Sequence, residues 1–333
     1  MHSTISSIGE RALIERITSR LAMPAWVVVG PGDDAAVVTH ERGALSVLTT
    51  DVQVEGVHFD RRFVPPAAIG HRALAVNLSD VAAMGATPRA ALLSLVMPGT
   101  LEVNVVDGIL DGVLALAARH RVALVGGNIS RTPGPLMVDM TLTGSVHPRR
   151  ILSRAGARPG DDVYVTGTIG DALVGLQSLQ ADPTSANPER EPCRERYLRP
   201  EPRMRAGVLL GRNRAAAACM DLSDGLADGL RQIADASGVG MTIAADALPI
   251  SAGARAWHEA HGRDPVMASI AGGDDYELLF TAHATQRGRL RGVLKHVGSL
   301  PITRIGVVTK GRELVIRTAA GDREVPSGFE HFR

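Results

Sequence analysis

Residues 9–21 (GERALIERITSRL) place Ala12, Leu13, Ile17 and Leu21 at helical spacing, which predicts an amphipathic opening helix. Two unbroken apolar, β-branched runs follow, Trp26–Val29 and Leu45–Leu48, the second leading into Thr49-Thr50-Asp51. Each predicts a buried strand. The pattern then gives a helix over 67–84, a strand at Ala91–Val96 and a strongly periodic helix over 105–120. Strands at Val122–Val125, running into Gly126-Gly127, and at Leu136–Thr143 complete the first half. Past a boundary near residue 150 the alternation resumes with a strand, Val163–Thr166, entering Gly167-Thr168-Ile169-Gly170. Residues 181–203, rich in Pro and charge, predict an exposed loop. A helix after Asp221–Asp224, strands at Met241–Ala244 and Tyr276–Thr281, and a closing strand pair over 304–317 finish the chain. Strands alternating with helices in two halves of similar size, 1–150 and 151–333, predict a two-domain α/β protein.

Composition narrows the function. The 333 residues carry 36 Lys+Arg against 35 Asp+Glu, a net charge of +1, which argues against a partner nucleic acid bound through a basic face. Two cysteines, Cys193 and Cys219, exclude a disulfide scaffold and a thiolate metal centre. Cys193 falls in the charged loop and Cys219 in an Ala-rich apolar stretch; neither reads as a nucleophile. No stretch approaches the ~18 apolar residues of a membrane span. Glu10, Arg11, Glu15 and Arg16 interrupt the first apolar segment, so no signal peptide is expected and the cytoplasm is the expected location. Rings are scarce, with 2 Trp, 3 Tyr and 5 Phe, so the core must be built from Ala, Val, Leu and Ile. A ring beside a polar cluster therefore asks for a reason.

The aspartates recur in short clusters: Gly32-Asp33-Asp34, Thr49-Thr50-Asp51, Asn77-Leu78-Ser79-Asp80, Asp221-Leu222-Ser223-Asp224-Gly225 and Gly272-Gly273-Asp274-Asp275-Tyr276-Glu277. Any one of them, taken alone, reads as a helix cap or a turn. Their recurrence at predicted strand ends, where open α/β sheets bind ligands, points to carboxylates kept together by cations. Hard oxygen donors suit Mg²⁺ shared with substrate phosphates, and so a site with several Mg²⁺ ions binding a polyphosphate. No P-loop and no protein-kinase loop is present. Gly126-Gly127-Asn128 and Gly167–Gly170 offer backbone amides to phosphate, although a glycine after a strand is also an ordinary turn. Arg131 and Arg154 are candidate phosphate partners or solvated surface residues. His58, ahead of Phe59, is a candidate substrate contact or a structural histidine.

These motifs resemble the thiamine-monophosphate kinase family of the aminoimidazole-ribonucleotide-synthetase-like superfamily. The resemblance is carried, in the family's order, by GDDAAVV (32–38), TTDVQVEGVHF (49–59), ALAVNLSDVAAMGATPRA (73–90) and ALVGGNISR (123–131). It continues through LSRAGARPGDDVYVTGTIGDA (152–172), YLRPEPR (197–203), MDLSDGLADGL (220–230), GGDDYELLF (272–280) and SGFEHF (327–332). It implies transfer of the γ-phosphoryl of ATP to thiamine monophosphate, the final step to thiamine diphosphate, by direct in-line transfer with several Mg²⁺ ions. It implies an N-terminal ATP- and Mg²⁺-binding domain that pairs through its sheet in a homodimer, and a C-terminal α/β domain completing the active site. Asp33, Thr49, Thr50, Asp51, Asp80, Asn128, Asp221 and Asp224 match the family's Mg²⁺ shell, with Asp33, Asp51, Asp80 and Asp221 as the catalytic set. Gly127, Asn128, Arg154 and Ser223 match nucleotide contacts, and His58, Asp274 and Phe329 match contacts to the thiamine substrate.

Two positions depart from the family pattern. Asn128 stands where Asp is usual, which keeps an oxygen donor but removes a charge. Asp274 replaces the usual Glu and is one methylene shorter. Phosphoryl transfer is mainly alignment and charge neutralisation, so the remaining acids still suit the chemistry. Two other readings fit parts of the pattern: a superfamily enzyme using ATP on another acceptor, and a non-catalytic nucleotide- or metal-binding protein. TTDVQVEGVHF and SGFEHF speak against the first.

Overall fold

PAAIGHRALAVNLSDVAA, residues 66–83, is apolar on nearly every side, and such a helix must be buried all round. In the computed structural model, which describes residues 3–185 and 187–328, it forms the central helix of the first of two compact units. That unit comprises Met1–Val81 and Thr87–His147; the second comprises Ala82–Ala86 and Pro148–Arg333.

The first unit contains the helical turn α1 (Ile5–Ile8), α2 (Glu10–Thr18) and a short antiparallel pair, β1 (Val27–Val29) and β2 (Val37–Val38). Then come β3 (Leu45–Val54), α3 (Pro66–Ala83), β4 (Thr87–Met97), α4 (Val103–His120), β5 (Ala123–Arg131) and β6 (Met137–Val146). Four strands make a sheet in the order β3-β6-β4-β5, with only β4 and β5 parallel. Helices α3 and α4 touch backbone to backbone: a Cβ on Gly70 would lie 1.9 Å from the Ile109 carbonyl oxygen, and one on Gly112 1.9 Å from that of Ala67. Side chains alternate across a strand, and α3 meets the face that carries Thr49 and Gly144. The opposite face leaves Leu48 (72%), Val52 (44%) and Leu92 (39%) exposed.

The second unit holds β7 (Asp162–Thr166), α5 (Asp171–Ala181), α6 (Glu191–Leu198), α7 (Met204–Asn213), β8 (Ala218–Asp221), α8 (Leu226–Ser237) and β9 (Gly240–Ala244). It continues with α9 (Ala252–Ala260), α10 (Pro265–Ala271), β10 (Leu278–Ala282), α11 (Arg287–Leu294), β11 (Ile302–Thr309), β12 (Leu314–Thr318) and β13 (Gly321–Glu324). Its seven strands are ordered β13-β12-β9-β11-β7-β10-β8. The core is aliphatic, with Val163, Leu230, Ile233, Ile243, Leu279 and Ile305 all fully buried, as the scarcity of rings requires. Among the described residues no helix is long and apolar enough to cross a membrane.

Several local expectations are corrected. The segment 181–203 is not a plain exposed loop: α6 forms within it and buries Cys193, Arg194 and Tyr197. Arg194 is tolerated inside because its guanidinium donates to Ser178 Oγ and to the carbonyls of Ser178, Asp182 and Ser185. Cys193 therefore lies in the interior, 3.7 Å from Asp171 Oδ1, and burial pushes its thiol up to about 12; burial likewise raises Cys219. The closing strands exist but do not pair with each other, since β11 and β12 flank β9 on opposite sides. The strand expected from Tyr276 starts at Leu278, because Tyr276 has φ 50° and cannot join a ladder. Two rings of the motif segments are core residues: Phe59 is buried, and Phe280 stacks on Tyr164 at 5.3 Å.

Candidate active site

The acidic clusters do not share one placement. Thr49-Thr50-Asp51 lies in the middle of β3, and Asn77-Leu78-Ser79-Asp80 lies inside α3. Neither is at a strand end. Asp33 and Asp34 sit in the connection between β1 and β2, Asp221 closes β8, and Gly272–Glu277 leads into β10.

Alternation along β3 turns Thr49 and Asp51 to the α3 face and Thr50 to the other. Thr49 Oγ1 donates to Asp80 Oδ2 at 2.5 Å, so a mid-strand hydroxyl and a last-turn helix carboxylate meet at fixed distance. Thr50 instead approaches Thr141 Oγ1 at 3.1 Å and Asp139 Oδ1 at 3.3 Å on the open side of the sheet. On that side a cavity of about 770 Å³ is lined by α2, the 30–36 connection and the strands, including Ile14, Asp33, Leu92, Ser94, Gly127 and Asn128. Gly127 is required there: a Cβ would stand 1.8 Å from the Leu93 carbonyl oxygen, where β5 crowds β4 beyond a bulge. Asn128 follows with its side chain exposed to the cavity. His58 lies in the turn after β3, and its Nδ1 accepts from the Val54 amide at 3.0 Å.

In the second unit two loops interlock. The Asp274 amide donates to the Ser223 carbonyl (2.7 Å), the Tyr276 amide to that of Leu222 (2.9 Å), and the Leu222 amide to that of Glu277 (2.8 Å). Asp221, Ser223, Asp224 and Asp274 are thereby gathered in one place. Ser223 and Asp224 do not cap α8, whose N-cap is Gly225. Arg154 is exposed on a segment that runs beside β8, where the Cys219 amide donates to the Ser153 carbonyl at 2.8 Å. Asp275 points inward and accepts from the amides of Gly170 (2.6 Å) and Ala172 (3.2 Å), at the start of α5. The Gly170 amide that offered itself to phosphate is thus taken by a carboxylate of the chain. Burial pushes the Asp275 carboxyl up to about 8, against the lowering effect of those two amides. Glu277, fully buried, accepts from Thr166, Arg196 and Arg203. Residue-type reading gave no role to Glu277, Arg196 or Arg203, although Arg203 ends the YLRPEPR motif. Phe329 lies outside the described residues.

Among the described residues no group of three or more His, Cys, Asp or Glu side chains is close enough to hold a metal ion alone. The donors present are oxygens in ones and twos. That suits Mg²⁺, which keeps several waters and takes one or two carboxylates together with substrate phosphates.

Comparison with known proteins places this arrangement. Residues 32–146 match the model of the AIR synthase related protein N-terminal domain, and residues 158–318 that of its C-terminal domain. The thiamine-monophosphate kinase of Escherichia coli (strain K12) is 37% identical over 333 residues, covering 97% of this chain and 98% of that protein. The chain belongs to the thiamine-monophosphate kinase family. Within the family, the crystal structure of the kinase from Stenotrophomonas maltophilia K279a superposes with a TM-score of 0.81 at 39% identity, covering 91% of this chain and 95% of that one. AaThiL complexed with AMPPCP and TMP gives a TM-score of 0.78 at 34% identity over 99% of both chains. The family assignment covers both units and agrees with the fold expected from the motifs.

Proposed function

We propose that the chain transfers the γ-phosphoryl group of ATP to the phosphate of thiamine monophosphate, giving thiamine diphosphate and ADP. The observation that carries this is AaThiL, which matches over nearly its whole length and binds an ATP analogue together with TMP. In the reaction a phosphate oxygen of thiamine monophosphate attacks the γ-phosphorus in line while the bond to the β-phosphate oxygen breaks. No phosphoenzyme forms. Mg²⁺, when bound, supplies Lewis acidity and neutralises the phosphates that must approach each other.

The chain's own residues take these roles in the proposal. Asp33, Asp51, Asp80, Asp221 and Asp224, with oxygens of Thr49, Thr50 and Asn128, hold the cations. Gly127 and Asn128 present the cavity wall to phosphate, and Arg154 and Ser223 contact the nucleotide. His58 and Asp274 face the thiamine moiety. The sequence assigns Phe329 the same task, through stacking on a flat, partly cationic ring system. Within each unit, fixed backbone holds these donors in place, which limits the local reorganisation needed during transfer. The exposed Leu48, Val52 and Leu92 on the open sheet face support a homodimer formed through that face, which sedimentation of the purified chain reads directly.

The deciding assay is conversion of thiamine monophosphate with ATP and Mg²⁺, with unphosphorylated thiamine as control. Thiamine diphosphate and ADP in equal amounts are expected from the monophosphate, and none from thiamine. Absence of turnover with the monophosphate would overturn the proposal.

A further inference from the structure

The Gly272–Glu277 loop contains two residues in an unusual conformation. Asp274 (φ 67°) and Tyr276 (φ 50°) both adopt left-handed backbone, which a Cβ disfavours and which persists only where surroundings enforce it. They alternate with Asp275 and Glu277, whose carboxylates are buried. The enforcement is visible on the inner side. Glu277 accepts from Thr166 Oγ1 at 2.6 Å, from Arg196 Nη2 at 2.5 Å and from Arg203 Nε at 2.6 Å, with Arg203 Nη2 completing a two-pronged contact. Arg196 Nη2 also donates to the Asp275 carbonyl at 3.0 Å, in the peptide between the two left-handed residues. The surroundings are shaped to this carboxylate, for a Cβ on Gly167 would stand 2.0 Å from Glu277 Oε1. Tyr276, itself buried, donates its hydroxyl to Asp274 Oδ1 at 3.0 Å, so the two strained residues are tied to each other.

We propose that Glu277, Arg196 and Arg203 are positioning residues: together they hold the Asp274–Tyr276 turn in its left-handed form and keep Asp274 placed for the thiamine moiety. Placement of Asp274 as a substrate contact rests on the proposed function. A bidentate guanidinium is the suitable anchor, because it fixes the carboxylate in orientation as well as in position. Losing one prong frees Glu277 to rotate, and the Asp275 peptide then relaxes towards ordinary backbone.

Arg203→Lys keeps the charge and removes the fork, and Arg196→Lys repeats the test should the first variant fold poorly. In steady-state kinetics the KM for thiamine monophosphate should rise about tenfold while the KM for ATP stays within about twofold. Amide hydrogen exchange at Asp274 and Tyr276 should quicken about tenfold, with Leu279 and Phe280 in β10 unchanged. A purely structural role predicts a lower Tm with both KM values and those amides unaltered, and that result would defeat the proposal. So would an equal rise in both KM values. Should the wild-type chain not turn over thiamine monophosphate, the proposed function falls, and exchange at Asp274 and Tyr276 alone decides the positioning role.

Discussion

The acids of the first unit and those of the second are held by opposite means. Asp51 and Asp80 project from regular elements, the middle of β3 and the last turn of α3, and a threonine hydroxyl is enough to fix Asp80. Asp221 is the last ladder residue of β8, while Asp224 and Asp274 lie beyond the strands, in backbone that no ladder or helix stabilises. There two further acids, Asp275 and Glu277, are buried to anchor the loop through amides and guanidinium groups. Secondary structure positions Asp80 with a single neutral hydroxyl as its partner. A loop needs buried polar partners to reach the same precision, and these work only when fully satisfied.

Variants at single acids test this contrast. The largest effect is expected at Asp80. Asp80→Asn keeps the shape and the bond from Thr49, so Tm should scarcely move, while kcat should fall on the order of 10³-fold if the carboxylate serves the transferring phosphates. Near-native turnover would remove Asp80 from the cation shell.

An intermediate effect, on stability and its pH dependence, is expected at Asp275. Its folded carboxyl titrates at about 8 against an ordinary 3.8, so the fold retains a proton that the unfolded chain releases. Its contribution is present in full below about pH 4 and is lost as pH rises through about 8. Asp275→Asn cannot titrate. Thermal unfolding from pH 5 to 8.5 should therefore show the wild type losing Tm relative to the variant, and parallel curves would refute the assignment.

The smallest effect belongs to Asn128→Asp. A carboxylate added to the cavity that Asp33 lines should lower the Mg²⁺ concentration for half-maximal rate several-fold and leave the rate at saturating Mg²⁺ nearly unchanged. An unchanged Mg²⁺ dependence would place position 128 outside the cation shell.

The alternation of strands and helices was legible because hydrophobic period alone determines it, and α4 with its buried Val106, Ile109, Leu110, Val113 and Leu116 is the clearest case. The family was legible from motif order. Less visible was what each acid of Gly272–Glu277 does, because four consecutive polar positions look alike until backbone torsion buries Asp275, Tyr276 and Glu277 and leaves Asp274 half-buried. The left-handed conformation of Tyr276 has no local signal, since it is imposed by Arg196 and Arg203, about eighty residues earlier in the chain. Helix α6 was hidden for a related reason. Its buried positions are Cys193, Arg194 and Tyr197, and only a set of carbonyls elsewhere makes an interior arginine acceptable. Asn-Leu-Ser-Asp is locally a capping sequence, which groups Asp80 with the strand-end clusters although the helix expected over 67–84 already spans it.

Both thiols of the protein, Cys193 and Cys219, lie in the interior of the second unit, and burial suppresses the thiolate form of each. Alkylating reagents therefore meet no reactive sulfur on the native molecule. Their reaction rate becomes a clock for the opening of that unit alone, with the first unit silent because it holds no sulfhydryl.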